Sequence, residues 1–285
     1  MIETQLLSGT VVSAAVKEEV AARVVGLKER GKSVGLATVL VGEDPASEVY
    51  VRNKRRTAEK LGIVSIHHQL AADTPQAEVD GLICQLNEDP AVDGILLQLP
   101  LPKGLDGERA VRLIDPAKDA DGLHPSNLGN LILGQPGLTP CTPTGVMRIL
   151  DHYGIGVSGQ HAIVIGRSFL VGRPLALLMN QKGTDATVTM AHSRTPDLAA
   201  MSHEADIVVA AVGVPKLVGP DFVRPGATVI DVGINRTDDG LVGDADFEAL
   251  QGIAGAITPV PKGVGPMTIA MLMHNTVRAA EAALT

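Results

Sequence analysis

Short apolar segments alternate with longer helical patterns along this chain, and that alternation constrains the fold more than any other feature. Residues 35–41 form a continuous apolar run, which is typical of a strand buried on both faces. Helices are predicted on either side of it, over residues 10–30 and 46–61. Further strands are predicted at 63–70 and 93–98. A chain with this order of elements forms a parallel sheet with helices on both faces.

The alternation resumes in the second half, after a stretch of different character. Residues 98–141 carry several proline turns and are predicted to be mostly loop. The strands predicted beyond it are 160–165, 187–191, 206–212, 227–232 and 253–257, and the helices are 142–153, 172–181, 196–203 and 268–283. We therefore predict an α/β protein of two doubly wound domains, the C-terminal one Rossmann-like.

Proline positions carry two kinds of local prediction. In Thr74-Pro75 and Thr142-Pro143 the threonine is expected to cap a helix and the proline to occupy its first position, and the former pair opens a helix over 74–87. Leu99-Pro100 and Val260-Pro261 are candidates for cis peptide bonds, since turns that line ligands use them.

Composition and charge exclude several classes of function. The formal net charge is −8, which argues against nucleic acid as the main partner. Aromatic residues are only 2% of the chain, too few for stacking on single-stranded nucleic acid. No apolar run approaches the ~18 residues of a membrane helix, and the first residues lack the basic and apolar regions of a secretory signal. We therefore expect a cytoplasmic protein that binds neither nucleic acid nor membranes.

The cysteines and histidines predict no metal site. Cys84 and Cys141 are expected to be buried thiols in a reducing compartment, and the sequence leaves a disulfide between them open. The chain contains no Cys-x-x-Cys or His-Glu-x-x-His motif, and its histidines are scattered.

A glycine-bearing loop begins at Gly166, between a predicted strand and a predicted helix. Rossmann domains bind pyrophosphate at that position, where main-chain N–H groups at the helix start face the anion. The spacing is not Gly-x-Gly-x-x-Gly, so an ordinary tight turn is the alternative. Residues 192–195, after the next strand, contain no acid for a ribose hydroxyl. Arg167 and Arg194 can each donate to a phosphate, which favours NADP; a solvated surface charge is the alternative for Arg194.

A second candidate site lies on the helix that follows the first strand of the sheet. Tyr50 and Lys54 are four residues apart, so they project from one helix face. The helix begins beyond the carboxyl end of a strand, where open α/β sheets bind ligands. A lysine in a partly apolar cleft can act as a base near neutral pH. The alternative is a surface helix whose basic residues have no special role.

Seven motifs extend over nearly the whole chain. They are Tyr50-x3-Lys54, the segment from Gly94 to Pro102, Lys118-Asp119-Ala120-Asp121-Gly122, Pro140-Cys141-Thr142-Pro143-x-Gly145, Gly166-Arg167-Ser168-x-x-Val171-Gly172-x-Pro174, Asp231-Val232-Gly233-Ile234-Asn235, and the segment from Thr258 to Thr268. In this order they resemble the bifunctional methylenetetrahydrofolate dehydrogenase/methenyltetrahydrofolate cyclohydrolases.

The resemblance implies a homodimer in which each chain has a cleft between two domains. Folate binds the first domain, placed at residues 1–140 and joined by the C-terminal helix 268–285, and NADP binds the second, at 141–267. The implied reactions are NADP-dependent oxidation of 5,10-methylenetetrahydrofolate to the methenyl form and its hydrolysis to 10-formyltetrahydrofolate. A dehydrogenase without the hydrolase, and a non-catalytic nucleotide-binding protein, are the competing functions.

The resemblance also implies roles for individual residues. Lys54 moves the proton of the cyclohydrolase step and Gln98 supports it, while Tyr50 packs on the folate rings and Asp121 holds the pterin. The resemblance assigns Pro261 and Gly265 to the substrate site. It assigns five residues to the dinucleotide site: Gly166, Arg167, Ser168, Ser193 and Ile234.

Two positions depart from the family pattern. Arg56 replaces a second lysine after the Tyr-x3-Lys motif, which is a mild change on a charged helix. Lys262 stands where the first of two glycines is usual, and a lysine does not adopt positive φ as freely as glycine. We expect this loop to turn the Lys262 side chain outward, either as a source of positive potential near an anionic ligand or without consequence.

Overall fold

The computed structural model describes residues 2–238 and 240–284. The strands are β1 (Gln5–Leu6), β2 (Gly35–Val41), β3 (Val64–Leu70), β4 (Gly94–Leu97), β5 (His161–Ile165), β6 (Thr187–Ala191), β7 (Ile207–Ala210), β8 (Thr228–Asp231), β9 (Asn235–Thr237), β10 (Gly240–Val242) and β11 (Ala256–Ile257). The helices are α1 (Gly9–Glu29), α2 (Pro45–Lys60), α3 (Gln76–Glu88), α4 (Gly107–Leu113), α5 (Pro125–Leu133), α6 (Cys141–His152), α7 (Gly172–Asn180), α8 (Leu198–His203) and α9 (Gly265–Ala282).

The chain divides into two compact units. The first unit is Ala15–Thr139 together with the segment from Ile269 onward, and the second unit is Pro140–Thr268 together with the segment up to Ala14. The sequence predicts that the first fourteen residues belong to the first unit. They lie in the second because β1 pairs in parallel with β11.

The second unit contains a six-stranded sheet in the order β6-β5-β7-β8-β11-β1, and all of its pairings are parallel. β5 comes first along the chain among the strands of this unit beyond residue 140, and it lies between β6 and β7. The strand order therefore reverses between β5 and β7, which is the position at which open α/β sheets bind ligands. The apolar core of this unit includes Ile163, Val208 and Val229.

The first unit contains a three-stranded parallel sheet in the order β3-β2-β4. β2 is buried along its whole length, as its continuous apolar sequence predicts. The strand order of this sheet also reverses, between β2 and β4. The carboxyl ends of these two strands therefore form a second position at which open α/β sheets bind ligands. Two parallel sheets in two units confirm the predicted fold class.

The stretch predicted to be loop contains two helices, α4 and α5. Asp106 caps α4 by accepting from the main-chain N–H of Arg109 at 2.9 Å. The ring of His124 caps α5, and Gly134 ends it in a left-handed conformation. The proline turns at 115–116, 124–125 and 135–137 lie next to these helices, which at seven and nine residues are too short to show a clear period.

Both predicted threonine caps are wrong by one or two residues. Pro75 is the N-cap of α3 and Pro140 that of α6, and neither helix has a side-chain cap. Thr142 lies inside the first turn of α6, where its hydroxyl is 2.9 Å from the hydroxyl of Thr268. The chain therefore uses this threonine for a tertiary contact rather than for a cap.

The cysteines are thiols in the structure, with Cys141 buried and Cys84 exposed. The prediction that both are buried is wrong for Cys84. It lies on α3, whose buried positions are Val79, Asp80, Ile83 and Leu86, so Cys84 faces away from the core.

Candidate active site

A lysine–glutamine pair lies at the carboxyl edge of the first unit's sheet. Lys54 is 6% exposed on α2, and its Nζ donates to Gln98 Oε1 at 3.1 Å. Gln98 directly follows β4, and its Nε2 donates to the carbonyl oxygen of Leu99 at 2.8 Å. Because that second bond fixes the direction of the amide, the glutamine oxygen faces the lysine. The hydrogen bond therefore holds a buried amine at a defined position. A general acid or base needs such a fixed position relative to the proton that it transfers.

Tyr50 lies one turn before Lys54 on the same helix. Its side chain is 47% exposed, which is high for an aromatic residue. At four residues' separation the two side chains share one face of α2. An exposed ring next to a buried amine is a surface on which a flat heterocycle can stack. The structure thus brings together three predicted site residues, Tyr50, Lys54 and Gln98.

Asp121 reaches the same edge of the sheet because the preceding residues pair with β4. Ile95 forms a parallel bridge with Asp119, and its main-chain N–H donates to the carbonyl oxygen of Lys118 at 2.7 Å. The chain then turns at Gly122, with Asp121 half-buried at the turn. Tyr50, Lys54 and Gln98 follow β2 or β4 along the chain, and the bridge between Ile95 and Asp119 brings Asp121 to the same edge.

Asp119 anchors the turn that carries Asp121, and the sequence analysis gave it no separate role. Its carboxylate is 1% exposed and accepts from the main-chain N–H groups of Gly122 at 3.1 Å and His124 at 2.7 Å, and from Asn127 Nδ2 at 3.0 Å. Burial raises its pKa, while these donors act in the opposite direction. The alternation Asp-x-Asp-Gly was a signal for such an arrangement, since a buried Asp commonly fixes a turn.

The glycine loop of the second unit is packed too tightly for side chains at two positions. Gly166 has φ of +127°, and a Cβ there would lie 2.1 Å from the carbonyl oxygen of Ala211. A Cβ on Gly172 would lie 2.2 Å from the carbonyl oxygen of Gly166. Ser168 Oγ accepts from the main-chain N–H of Val171 at 3.1 Å and so closes the loop before α7. The loop presents main chain at the switch point of the sheet, as a bound phosphate needs.

The loops after β5 and β6 leave the sheet side by side. The N–H of Gly166 donates to the carbonyl oxygen of Ala191 at 2.9 Å, and the side chains of Arg167, Ser168, Ser193 and Arg194 are exposed. Within residues 2–238 and 240–284, neither of these arginines forms an ion pair. Two exposed guanidinium groups near main-chain donors fit a phosphate-bearing dinucleotide.

Two buried carboxylates organise the loops after β7 and β8. Asp244 is 0% exposed, and its Oδ2 accepts from the N–H groups of Val212 at 2.7 Å and Gly213 at 2.8 Å. Asp231 is 3% exposed and accepts from the N–H groups of Gly233, Asp244 and Ala245, each at 2.9 Å. Burial raises the pKa of Asp231 to about 6, and the nearby Asp244 carboxylate adds to that rise.

Sequence reasoning found Ile234 in this region but missed Asp244. Ile234 is 48% exposed, between Gly233 and Asn235. A Cβ on Gly233 would lie 2.2 Å from Asp244 Oδ1, so the glycine is required by the carboxylate. The sequence signal for this contact was the Gly243-Asp244 pair after Gly233. The contact between Gly233 and Asp244 joins segments about ten residues apart in a loop without a regular period, so periodicity does not reveal it.

The remaining predicted substrate residues, Pro261 and Gly265, belong to the second unit. Gly265 begins α9, and a Cβ there would lie 3.6 Å from Ile234 Cδ1. The Val260–Pro261 and Leu99–Pro100 bonds are both cis, as the sequence suggested. Lys262 is exposed and has φ of +81°, so the loop keeps the left-handed conformation despite the lysine.

Residues 2–238 and 240–284 contain no group of three or more His, Cys, Asp or Glu side chains that could hold a metal ion. None of the helices in the ranges given above is both long and apolar enough to span a bilayer.

A parallel sheet with a glycine loop at its switch point, together with a second parallel unit that holds a buried lysine–glutamine pair, defines a two-domain α/β protein of the dehydrogenase class. Two family models match: the catalytic domain of tetrahydrofolate dehydrogenase/cyclohydrolase over residues 7–121, and its NAD(P)-binding domain over 140–284. The chain belongs to the tetrahydrofolate dehydrogenase/cyclohydrolase family.

Individual relatives agree over almost the full length of the chain. The bifunctional protein FolD of Maridesulfovibrio salexigens is 54% identical over 278 residues, covering 96% of this chain and 97% of the relative. The bifunctional FolD enzyme of Campylobacter jejuni is 44% identical, with a TM-score of 0.96 over 98% and 99% of the two chains. The Trypanosoma brucei dehydrogenase-cyclohydrolase, solved with NADP cofactor and inhibitor, is 38% identical with a TM-score of 0.93 over 100% and 99%.

Proposed function

We propose that this chain is a bifunctional one-carbon enzyme. It oxidises 5,10-methylenetetrahydrofolate to the methenyl form with NADP and then hydrolyses that product to 10-formyltetrahydrofolate. The observation that carries the proposal is the buried Lys54–Gln98 pair, retained in a chain that also keeps the dinucleotide loop at Gly166. Its 54% identity to a bifunctional FolD protein supports both activities together.

The hydrolytic step needs a group that moves one proton. Water adds to the methenyl carbon, a C–O bond forms, and the oxygen loses one proton. The C–N bond then breaks as the remaining hydroxyl proton leaves and the C=O bond forms. The electrons of the C–N bond stay on the departing nitrogen, which takes up one proton, and the other proton is released to solvent. Lys54 Nζ is the proposed carrier of the proton that reaches the nitrogen. Gln98 Oε1 holds the amine in place, since its own NH₂ group is committed to Leu99.

The other predicted residues of the substrate site bind and orient the folate. The exposed ring of Tyr50 is proposed to stack on the folate rings. Asp121, held by the turn that Asp119 anchors, is proposed to accept N–H bonds from the pterin edge. Pro261 and Gly265 are proposed to add further substrate contacts. Fixing the reacting carbon in this way accounts for a large part of catalysis in reactions of this kind.

The dinucleotide is proposed to bind at the carboxyl edge of the six-stranded sheet. The main chain at Gly166 allows close approach of phosphate, Ser168, Ser193 and Ile234 supply further contacts, and Arg167 meets the 2′-phosphate of NADP. The absence of an acid in residues 192–195 agrees with NADP rather than NAD. When bound, this cofactor accepts a hydride from the methylene carbon.

The direct test follows absorbance while the purified protein turns over 5,10-methylenetetrahydrofolate with NADP. We expect NADPH to form without lasting accumulation of the methenyl compound, because the hydrolase removes it. NADPH formation with lasting methenyl accumulation indicates a dehydrogenase alone. No NADPH formation rejects the proposal.

Replacement of Lys54 by Met should separate the two activities. The change keeps the length of the side chain but removes the amine, and loss of a general acid/base typically costs ~10²–10⁴-fold in rate. We expect hydrolysis of methenyltetrahydrofolate to fall by that factor and dehydrogenation to fall far less. Gln98→Ala should have the same effect more weakly, since it only releases the amine. The measurement is the ratio of the two rates in each variant.

Lys60→Met, an exposed change at the end of the same helix, is the control and should leave both rates unchanged. Parallel loss of both activities in Lys54→Met would mean that the lysine positions folate. Persistence of both would remove Lys54 from the mechanism.

We also propose, from the family resemblance, that the protein is a homodimer in the cytoplasm. Light scattering on the purified chain tests the first point, and fractionation of the cells that make it tests the second. A monomer at assay concentrations contradicts the dimer.

A further inference from the structure

We infer that Asp244 is a positioning residue for the dinucleotide, because it holds the loops after β7 and β8 in one fixed arrangement. Nothing in the motif pattern assigns this residue a role. The inference rests on the proposed function in one respect, namely that NADP binds at the carboxyl edge of the six-stranded sheet.

The carboxylate of Asp244 joins two loops that follow different strands. On one side, its Oδ2 accepts from the main-chain N–H groups of Val212 and Gly213, directly after β7. On the other side, its Oδ1 accepts from Asn235 Nδ2 at 2.8 Å, beyond β8. Each oxygen therefore serves a different loop, and the spacing between the loops is set by one planar group.

The main chain of Asp244 is in turn fixed by a hydrogen bond to β8. Its main-chain N–H donates to Asp231 Oδ1 at 2.9 Å, and Asp231 is the last residue of β8. The hydroxyl of Thr258 accepts from the N–H of Asp231 at 2.7 Å, which ties this point to the segment that leads to Pro261. Asp244 has no exposed surface, and a buried polar group that loses a hydrogen bond costs free energy, so the three donors to its side chain hold both loops in place.

The consequence concerns Ile234. This residue has no polar side-chain contact to fix it and is 48% exposed, but its two neighbours both touch Asp244. Gly233 packs against the carboxylate and Asn235 donates to it. Loss of the hydrogen bond from Asn235 should therefore free Ile234 and weaken binding of the dinucleotide. The Lys54–Gln98 pair belongs to the first unit and should keep its own contacts.

The decisive variant is Asp244→Asn. Its amide oxygen can still accept from Val212 and Gly213, but its NH₂ group then faces the NH₂ group of Asn235. We expect the Kd for NADP⁺, measured by calorimetry without folate, to rise roughly tenfold to a hundredfold, as for loss of one charge-assisted hydrogen bond. The KM for NADP should rise by the same factor while kcat changes much less, since ground-state binding is what is lost.

A second substitution tests the bond itself. In the double variant Asp244→Asn with Asn235→Asp, donor and acceptor are exchanged, so the Asn amide donates to the new carboxylate. We expect NADP⁺ affinity to return to within about threefold of the unmodified protein, which is the signature of a direct pairwise interaction. The matched control is Asp246→Asn. Asp246 lies two residues after Asp244 and forms an ion pair with Lys216, and its replacement should leave the Kd for NADP⁺ unchanged.

Hydrolysis of methenyltetrahydrofolate without NADP shows whether each variant is folded. Weak NADP⁺ binding with intact hydrolysis in Asp244→Asn, restored in the double variant, supports the inference. Unchanged NADP⁺ binding in Asp244→Asn, or a folded double variant that stays weak, overturns it. Parallel loss of hydrolysis and binding, not restored in the double variant, also overturns it in favour of a general folding role. Failure of the unmodified protein to bind NADP⁺ overturns the proposed function itself.

Discussion

Arg167 leaves the sheet directly after Gly166 and is exposed, without an ion pair in the described part of the chain. If it meets the 2′-phosphate, Arg167→Ala removes a charge-assisted bond and should weaken NADP affinity roughly tenfold to a hundredfold. NAD lacks that phosphate, so its affinity should change much less. Titration of the variant with each dinucleotide measures the difference.

Lys182, near the far end of α7, provides the control for the Arg167 experiment. It is exposed and carries the same charge, so Lys182→Ala should leave both affinities as they are. Equal losses for NADP and NAD in Arg167→Ala would show that this arginine does not distinguish the two.

Lys262 holds a left-handed backbone, which costs a non-glycine residue about 1–2 kcal/mol. Because glycine relieves the strain but loses more conformational freedom on folding, Lys262→Gly should stabilise the protein by only about 1 kcal/mol. The expected rise in Tm is about 2 °C, measured by thermal unfolding. Lys262→Ala keeps the Cβ and should give no such rise.

The same pair of variants tests the charge of Lys262. Both remove the ammonium, so both should reduce the salt dependence of KM if its potential attracts an anionic ligand. If the KM for both ligands is unchanged at low and high salt, the charge of Lys262 does not contribute to binding, and the residue affects only the backbone conformation.

At the scale of elements, Lys118 shows how a residue of a functional motif can act by capping. Its Nζ donates to the carbonyl oxygens of Asn87 at 2.7 Å, Asp89 at 2.8 Å and Leu86 at 3.3 Å, all at the carboxyl end of α3. Cations stabilise that end of a helix, where the last carbonyls lack helical partners. Lys118→Met should therefore lower the free energy of unfolding by about 2 kcal/mol.

Chemical denaturation of the Lys118→Met protein measures this change. Lys103→Met, in an exposed turn, is the control and should be neutral. No loss of stability in Lys118→Met would contradict the capping role.

At the scale of the whole molecule, the buried carboxyl of Asp231 links stability to pH. Its pKa is about 6 in the folded chain against 3.8 for the ordinary group. The folded state therefore binds the proton more tightly than the unfolded state. The stability from this group is present below pH ~4 and is lost as pH rises through 6, by an amount on the order of 3 kcal/mol.

Asp231→Asn removes that titration and allows a direct measurement. The unfolding free energy of the unmodified protein minus that of the variant should fall by about that amount between pH 4 and 7. Groups with lowered pKa, such as Asp206 and Glu281, act in the opposite direction but cancel in the difference. A flat curve for Asp231→Asn would contradict the raised pKa.

The sequence by itself determined the two parallel units and their longer strands. Continuous apolar runs such as β2 have no other stable environment than a sheet covered on both faces, and a parallel sheet places the ends of its strands at one edge. The Gly166 loop and the helix of Tyr50 and Lys54 were therefore placed at this edge by the sequence, since each follows a strand, while the roles of Lys54, Gln98 and Asp121 came from the resemblance of the motifs to a known family.

Only the tertiary structure decided which polar atoms meet. The direction of the Gln98 amide depends on the Leu99 carbonyl, and the roles of Asp119 and Asp244 depend on N–H groups from loops that have no regular period. The first strand joined the second unit through two pairs with β11, too short a segment for a pattern. Periodicity records which face of an element is buried, but hydrogen bonds between loops depend on three-dimensional positions that the whole fold sets.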